Sequence, residues 1–191
     1  MATDRRVRYT KLALKESLLK FLREKPISRI TVKEICEDAD INRATYYAHY
    51  TDQYDQLKQL ENDFTEGIGA YLDSFSSEEV ALNPYGMLVS IFEYVDRDIE
   101  LCRALLGRNG DMSFMENFVE LVGERVLETW ESQKVVRGSD AEYAYIFVAN
   151  GSIGIIRRWL FEEKERATPQ EIAGVIVRLV YNGIMNGSKG K

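Results

Sequence analysis

Apolar positions along this chain recur at helical spacing, in blocks separated by polar turns. Thr10 to Arg23 carries Leu12, Leu18, Leu19 and Leu22 on one stripe, broken by Lys15, and Pro26 ends the block. Val32, Ile35, Cys36 and Ala39 share one face of a short helix that stops at Asp40. Asp tolerates the left-handed region that a tight turn requires. A second short helix is predicted over Arg43 to Tyr50, with Ile41 plugging the corner between the two.

Thr51 and Asp52 cap a long helix to about Phe75, with Leu57, Leu60, Phe64, Ile68, Tyr71 and Leu72 on one side and Gly67 and Gly69 as candidate bends. The Ser/Glu-rich stretch Ser74 to Asn83 reads as a loop, and Tyr85–Arg97 and Asp98–Leu106 as two helices. Gly107 to Asp111 is a turn. Phe114 to about Lys134 and Ala141 to Glu165 are long helices, and Pro169 opens the last one, with Ile172, Val175, Ile176, Leu179, Val180 and Ile184 as its stripe. Gly187 to Lys191 reads as a frayed tail. The pattern predicts an all-α fold of about nine helices and no strand.

The caps sharpen the first third. Thr31 followed by Glu34 makes a capping box, and Asn42 is a second N-cap. The helix after Asn42 is unusual for a core element, because Arg43, Thr45, Tyr46, Tyr47, His49 and Tyr50 load a short rod with donors. Such groups bond phosphate oxygens and reach base edges. Two short helices joined by a tight turn, the second so equipped, suit a helix-turn-helix entering the DNA major groove.

Net charge is −6, but it is unevenly spread: residues 1–50 hold eleven Lys/Arg against seven Asp/Glu, and the remainder fourteen against twenty-four. A basic head on an acidic body fits a DNA reader with a second, non-DNA function. Arg5, Arg6 and Arg8 read as a short basic arm, either lying along the DNA backbone or minor groove or solvated.

Segment Ile30–Tyr50 resembles the DNA-binding region of the TetR/AcrR family of bacterial transcriptional regulators. The likeness extends to Asp4–Lys11 and Thr51–Leu57 and covers about the first third of the chain. Many members carry Gly where this chain has Asp40, and often Lys where it has Gln53. The resemblance implies a helix-turn-helix domain over residues 1–60 and a helical ligand-binding and dimerisation domain over 61–191. It places Arg43, Ala44 and Thr45 at the groove, with Tyr47, His49 and Tyr50 divided between phosphate contact and packing. Thr45, Tyr47 and His49 are expected on phosphates, and Arg43 and Tyr46 at bases. Thr31, Lys33 and Asn42 complete the expected DNA-binding set.

Family members dimerise through their last two helices, which implies an interface here at Gly151, Gly154, Ile155, Trp159, Leu179 and Val180. The aromatic-rich body can also hold an apolar ligand, for which Phe92, Phe118, Tyr143, Phe147 and Asn150 are the candidate lining. The expected partners are an operator duplex, a second copy of the chain, and a small-molecule or protein effector. A helical adaptor without sequence-specific DNA binding is the alternative.

No cofactor or metal is expected. His49 is the only histidine and has no metal-ligand spacing around it. No G-x-S-x-G, phosphate-cradling Gly-rich loop or H-E-x-x-H is present, so an enzyme is not expected. Cys36 and Cys102 lie too far apart in sequence for a disulfide framework and read as inert core thiols. With no run near ~20 apolar residues and no apolar leader, a cytoplasmic location is expected.

Overall fold

The computed structural model describes residues 2–76, 78–79, 84–107, 109, 114, 117–118, 120–121, 123, 139–162 and 164–180. Among these the fold is all-α. The helices are α1 (Ala2–Glu24), α2 (Val32–Asp38), α3 (Arg43–Tyr47), α4 (Gln53–Asp73), α5 (Pro84–Arg97), α6 (Ile99–Leu106), α7 (Ser139–Phe161) and α8 (Pro169–Val180), with a 3-10 turn at Ile27–Arg29. Part of 114–123 is helical as well. The remainder of the helix expected to reach Lys134, and the tail from Gly187, lie outside the described residues. None of the described helices is long and apolar enough to cross a membrane.

The chain divides into two compact units. One comprises Met1–Thr65 with Glu100–Phe114, the other Glu66–Ile99 with Met115–Lys191. In the first, α1 packs on α2 and α2 on α3. Leu14, Leu18, Leu22, Ile30, Ile35 and Tyr46 are fully buried there. Ser17 Oγ, also buried, donates to the Ile35 carbonyl at 3.2 Å and joins α1 to α2 by a polar bond. Lys20 pairs with Asp38 across the same two helices.

Two expectations about α1 are corrected. The arginines expected on an arm lie within the helix, since α1 starts at Ala2 and no Gly or Pro interrupts it before Pro26. Leu12 is also not a core residue: it is 48% exposed, and Leu14 takes the buried position. The i, i+4 ladder Leu14–Leu18–Leu22 excludes Leu12, which stands two positions, about 200°, from Leu14.

In the second unit α8 packs on α5 and α7. Ile91, Phe92, Val95, Trp159, Leu160, Ala173 and Ile176 are buried there. The last helix opens as expected: Thr168 Oγ1 accepts from the Glu171 amide at 3.2 Å, and Glu171 Oε2 accepts from the Thr168 amide at 2.8 Å, a reciprocal cap. α4 runs unbroken through Gly67 and Gly69. Gly67 serves close packing: a Cβ there would stand 1.9 Å from the Tyr94 hydroxyl.

Candidate nucleic-acid interface

The turn between α2 and α3 is built by local chemistry. Thr31 caps α2, accepting from the Glu34 amide at 3.3 Å, while Glu34 Oε2 accepts from the Thr31 amide at 2.9 Å. At the far end Asp40 adopts φ 52°, and the Ile41 amide donates back to the Cys36 carbonyl at 2.9 Å. That six-residue bond around a left-handed residue is the Schellman closure, which satisfies an orphan carbonyl and turns the chain sharply. Asn42 then caps α3, its Oδ1 accepting from the Ala44 amide at 2.8 Å.

Lys25 strengthens the first cap by donating to Glu34 Oε1 at 2.6 Å. This bond, followed by those from Thr31, lowers the Glu34 carboxyl from its ordinary 4.5 to about 2. A carboxyl held down in the fold binds its proton more weakly there than in the unfolded chain. Its contribution is therefore present above pH 4.5 and lost as pH falls toward 2. Glu34→Gln is expected to lower the melting temperature at pH 6, with the gap from wild type closing between pH 4.5 and 2 in paired thermal scans. A gap independent of pH would remove the ionised carboxylate from the cap.

With five residues, α3 is too short to stand alone. It is held from beneath. Tyr46 is fully buried, with its ring 5.6 Å edge-on from Tyr47 and 5.4 Å from Tyr50. Its hydroxyl donates to Gln56 Oε1 on α4 at 3.0 Å, and Gln56 Nε2 donates to the Leu14 carbonyl on α1 at 2.8 Å. One polar chain through the core thus ties α3, α4 and α1 together. Burial is the main cause that pushes the Tyr46 phenol well above its ordinary 10, keeping it a neutral donor. Beyond α3, Asp52 Oδ1 accepts from the Asp55 amide and Asp55 Oδ2 from the Thr51 amide, both at 2.8 Å, which starts α4 as the sequence implies.

The expected DNA-binding residues therefore divide. Arg43, Ala44 and Thr45 are exposed, and Tyr47 is 57% exposed. His49 is half-buried, its ring 6.3 Å from that of Tyr50. Thr31, Lys33 and Asn42 are on the surface, with Lys33 3.8 Å from Glu37. Tyr46 is corrected from base reader to anchor: it stands 100° round the helix from exposed Tyr47, on the side bonded to α4 through Gln56. Tyr50 is buried as well and belongs to the packing. Gln56 was missed by the sequence reading, although it stands four residues before Leu60, on the buried side of α4.

The candidates in the second unit also separate. Gly151 and Gly154 are exposed, and a Cβ at either would meet nothing within 4 Å. Leu179 is exposed, and Ile155 and Val180 are half-buried. Trp159 is corrected from interface to core, being buried against Phe92. The five proposed pocket residues do not form one lining. Phe92 and Phe118 are buried, whereas Tyr143 and Phe147 are 71% and 70% exposed and Asn150 is exposed too. The run Tyr143 to Ala149 is apolar on every side, so periodicity could not tell its inner face from its outer one. Cys36 and Cys102 are buried and are not joined in a disulfide, and burial pushes the Cys36 thiol up.

A family model described as the transcriptional regulator C-terminal region, of TetR type, matches residues 83–182. The chain belongs to the TetR family of transcriptional regulators. This TetR-family chain is also 39% identical over 64 residues to an uncharacterised HTH-type transcriptional regulator of Bacillus subtilis (strain 168), YxbF. That match covers 33% of the chain and 17% of the relative's length. The fold resembles a TetR transcriptional regulator from Streptococcus agalactiae 2603V, with a TM-score of 0.66 at 21% identity over 94% of this chain and 98% of that one. It also resembles FadR from Bacillus subtilis, solved in complex with stearoyl-CoA, with a TM-score of 0.64 at 15% identity over 91% and 98%.

Proposed function

We propose that this regulator is a cytoplasmic, effector-responsive repressor that binds a palindromic operator as a homodimer. The observation that carries the reading is the outward face of α3. Arg43, Thr45 and Tyr47 point to solvent on a helix whose other side is fixed by Tyr46 and Tyr50. A rigid rod with donors on its free side is what groove insertion needs. In this reading residues 1–60 read DNA and residues 61–191 carry dimerisation and sensing.

Two copies would pair through the exposed side of α7 and α8, at Gly151, Gly154, Ile155, Leu179 and Val180. Exposed Tyr143, Ile146 and Phe147 supply further apolar area on α7. A two-fold pair sets its heads on half-sites one helical turn apart, about 34–36 Å. The effector would be an apolar small molecule taken into the aromatic interior around Phe92 and Phe118; FadR with stearoyl-CoA offers a precedent on this fold. α4 belongs in part to both units, so an effector that favours one of its positions would change operator affinity.

Tyr47→Ala with His49→Ala tests the assignment. Losing two contacts to phosphate, each about 1.5–3 kcal/mol, is expected to weaken binding to any duplex by a hundredfold or more at unchanged melting temperature. A mobility-shift titration that finds the double variant binding like wild type removes α3 from the groove.

A further inference from the structure

The amino-terminal half of α1 carries a charge pattern that its own helix does not favour. Arg5, Arg6, Arg8, Lys11 and Lys15 fall within eleven residues, with no acidic residue between the first and the last. The positive end of a helix dipole favours Asp and Glu in the opening turn and disfavours cations. Arg5, Arg6, Arg8 and Lys11 are all exposed, as are Val7, Tyr9 and Leu12 beside them. No ion pair joins any of these four cations to an acidic side chain of α2, α3 or α4 among the described residues.

The patch is continuous with α3. Lys11 Nζ lies 5.9 Å from the ring centre of Tyr50, which itself meets Tyr46 at a tilt and His49 edge-on. Arg5 stands over Tyr9 at 5.7 Å, which pre-orders the guanidinium. Arg5, Arg8 and Lys11 recur every three residues, about 4.5 Å of rise apart, and form a ridge along the helix. A ridge of cations leading away from the groove-facing helix matches a run of anions, which a DNA strand offers in its phosphates.

We propose that the helical amino-terminal half of α1 is a backbone clamp: Arg5, Arg6, Arg8 and Lys11 hold phosphates flanking the groove that α3 enters. This rests on the DNA-binding function proposed above. The clamp adds affinity and no base preference, because phosphate contacts fix register without reading sequence.

The test is the salt dependence of binding to a mixed-sequence duplex about three turns long, measured by fluorescence anisotropy between about 50 and 200 mM salt. Each lost phosphate contact lowers the log–log slope by about 0.9. The variant Arg5→Gln, Arg6→Gln, Arg8→Gln, Lys11→Gln is expected to lose about 3.6 units of slope and at least tenfold in affinity. Its melting temperature is expected to hold or rise, since Arg5, Arg8 and Lys11 are like-charged neighbours three apart on the helix and repel one another. If the quadruple variant loses helicity, Arg8→Gln with Lys11→Gln replaces it, with an expected loss of about 1.8 units of slope. A control, Arg158→Gln with Lys164→Gln in the second unit, should leave the slope unchanged.

An unchanged slope in the α1 variants, with wild type still binding, overturns the clamp and leaves the α3 assignment standing. An equal drop in the control also overturns it, since it reduces the effect to overall charge. A wild type without salt-dependent binding overturns both the clamp and the function on which it rests.

Discussion

Trp159→Ala is expected to destabilise the second unit by about 3–5 kcal/mol, whatever the state of association. Trp159 is only 3% exposed. Phe92 meets its ring edge-on at 5.1 Å, an arrangement that adds about 0.5–1.5 kcal/mol beyond area burial. The Arg166 guanidinium lies over the ring, 4.7 Å from its centre, and is itself paired with Asp96. The indole Nε1 donates to the Ala167 carbonyl at 2.6 Å, which fixes the approach to α8. Alanine would leave a cavity, an unpaired carbonyl and a guanidinium with one neighbour fewer. For a chain of this size the melting temperature should fall by roughly 6–20 °C. Leu179→Ala is the contrast: its side chain is exposed, so it should change association and leave unfolding of the isolated chain nearly alone. A Trp159→Ala loss below about 1 kcal/mol, or one that appears only on dilution, would return Trp159 to the subunit interface.

That residue also marks where the sequence could be read and where it could not. Local chemistry was legible. Thr31 with Glu34, Asn42 before Ala44, and Pro169 at the start of the last helix each act through neighbours two or three positions away, and all appear where the spacing places them. Asp40 was legible for the same reason: a turn between two capped helices needs a left-handed residue, and Asp accepts that conformation. What required the structure was the choice between faces. Tyr46 and Tyr47 are chemically identical and adjacent, yet one is an anchor and the other a surface donor. On α7, Tyr143 and Phe147 belong to the run Tyr143–Ala149, which holds no charged position to mark its outer side, so the pattern gave no direction. Helix length at the amino terminus was misjudged because three arginines suggested an arm, although the residues have no intrinsic reason to leave the helix.

The same distinction bears on the candidate interface itself. The donors on the outer side of α3 were found by residue type. What holds them in place is Gln56, a residue whose type suggests the surface. A buried amide is costly unless both of its ends are bonded, and here both are: Oε1 accepts from Tyr46 and Nε2 donates to Leu14. The arrangement also settles which way the amide points, since only that orientation gives each partner its complement.

Breaking that chain at both ends should cost less than the two single breaks added together. Tyr46→Phe leaves Gln56 Oε1 buried without a donor, at an expected cost of about 1–3 kcal/mol. Gln56→Leu strands the Tyr46 hydroxyl and is expected to cost a similar amount. Tyr46→Phe combined with Gln56→Leu removes both polar ends, so it should be less damaging than the two single losses added together, with a coupling of about 1–3 kcal/mol. Urea denaturation of the four proteins measures the cycle directly. Alkali gives a second reading. Burial raises the Tyr46 phenol above its ordinary 10, so the folded state favours the neutral form more than the unfolded chain does. Its contribution is complete below pH 10 and declines as pH rises beyond that, and proteins carrying Tyr46→Phe should lose this part of their alkaline sensitivity. Additive single losses, within about 0.5 kcal/mol, would show that the Tyr46–Gln56 bond adds nothing to stability. Packing alone would then hold α3 in position.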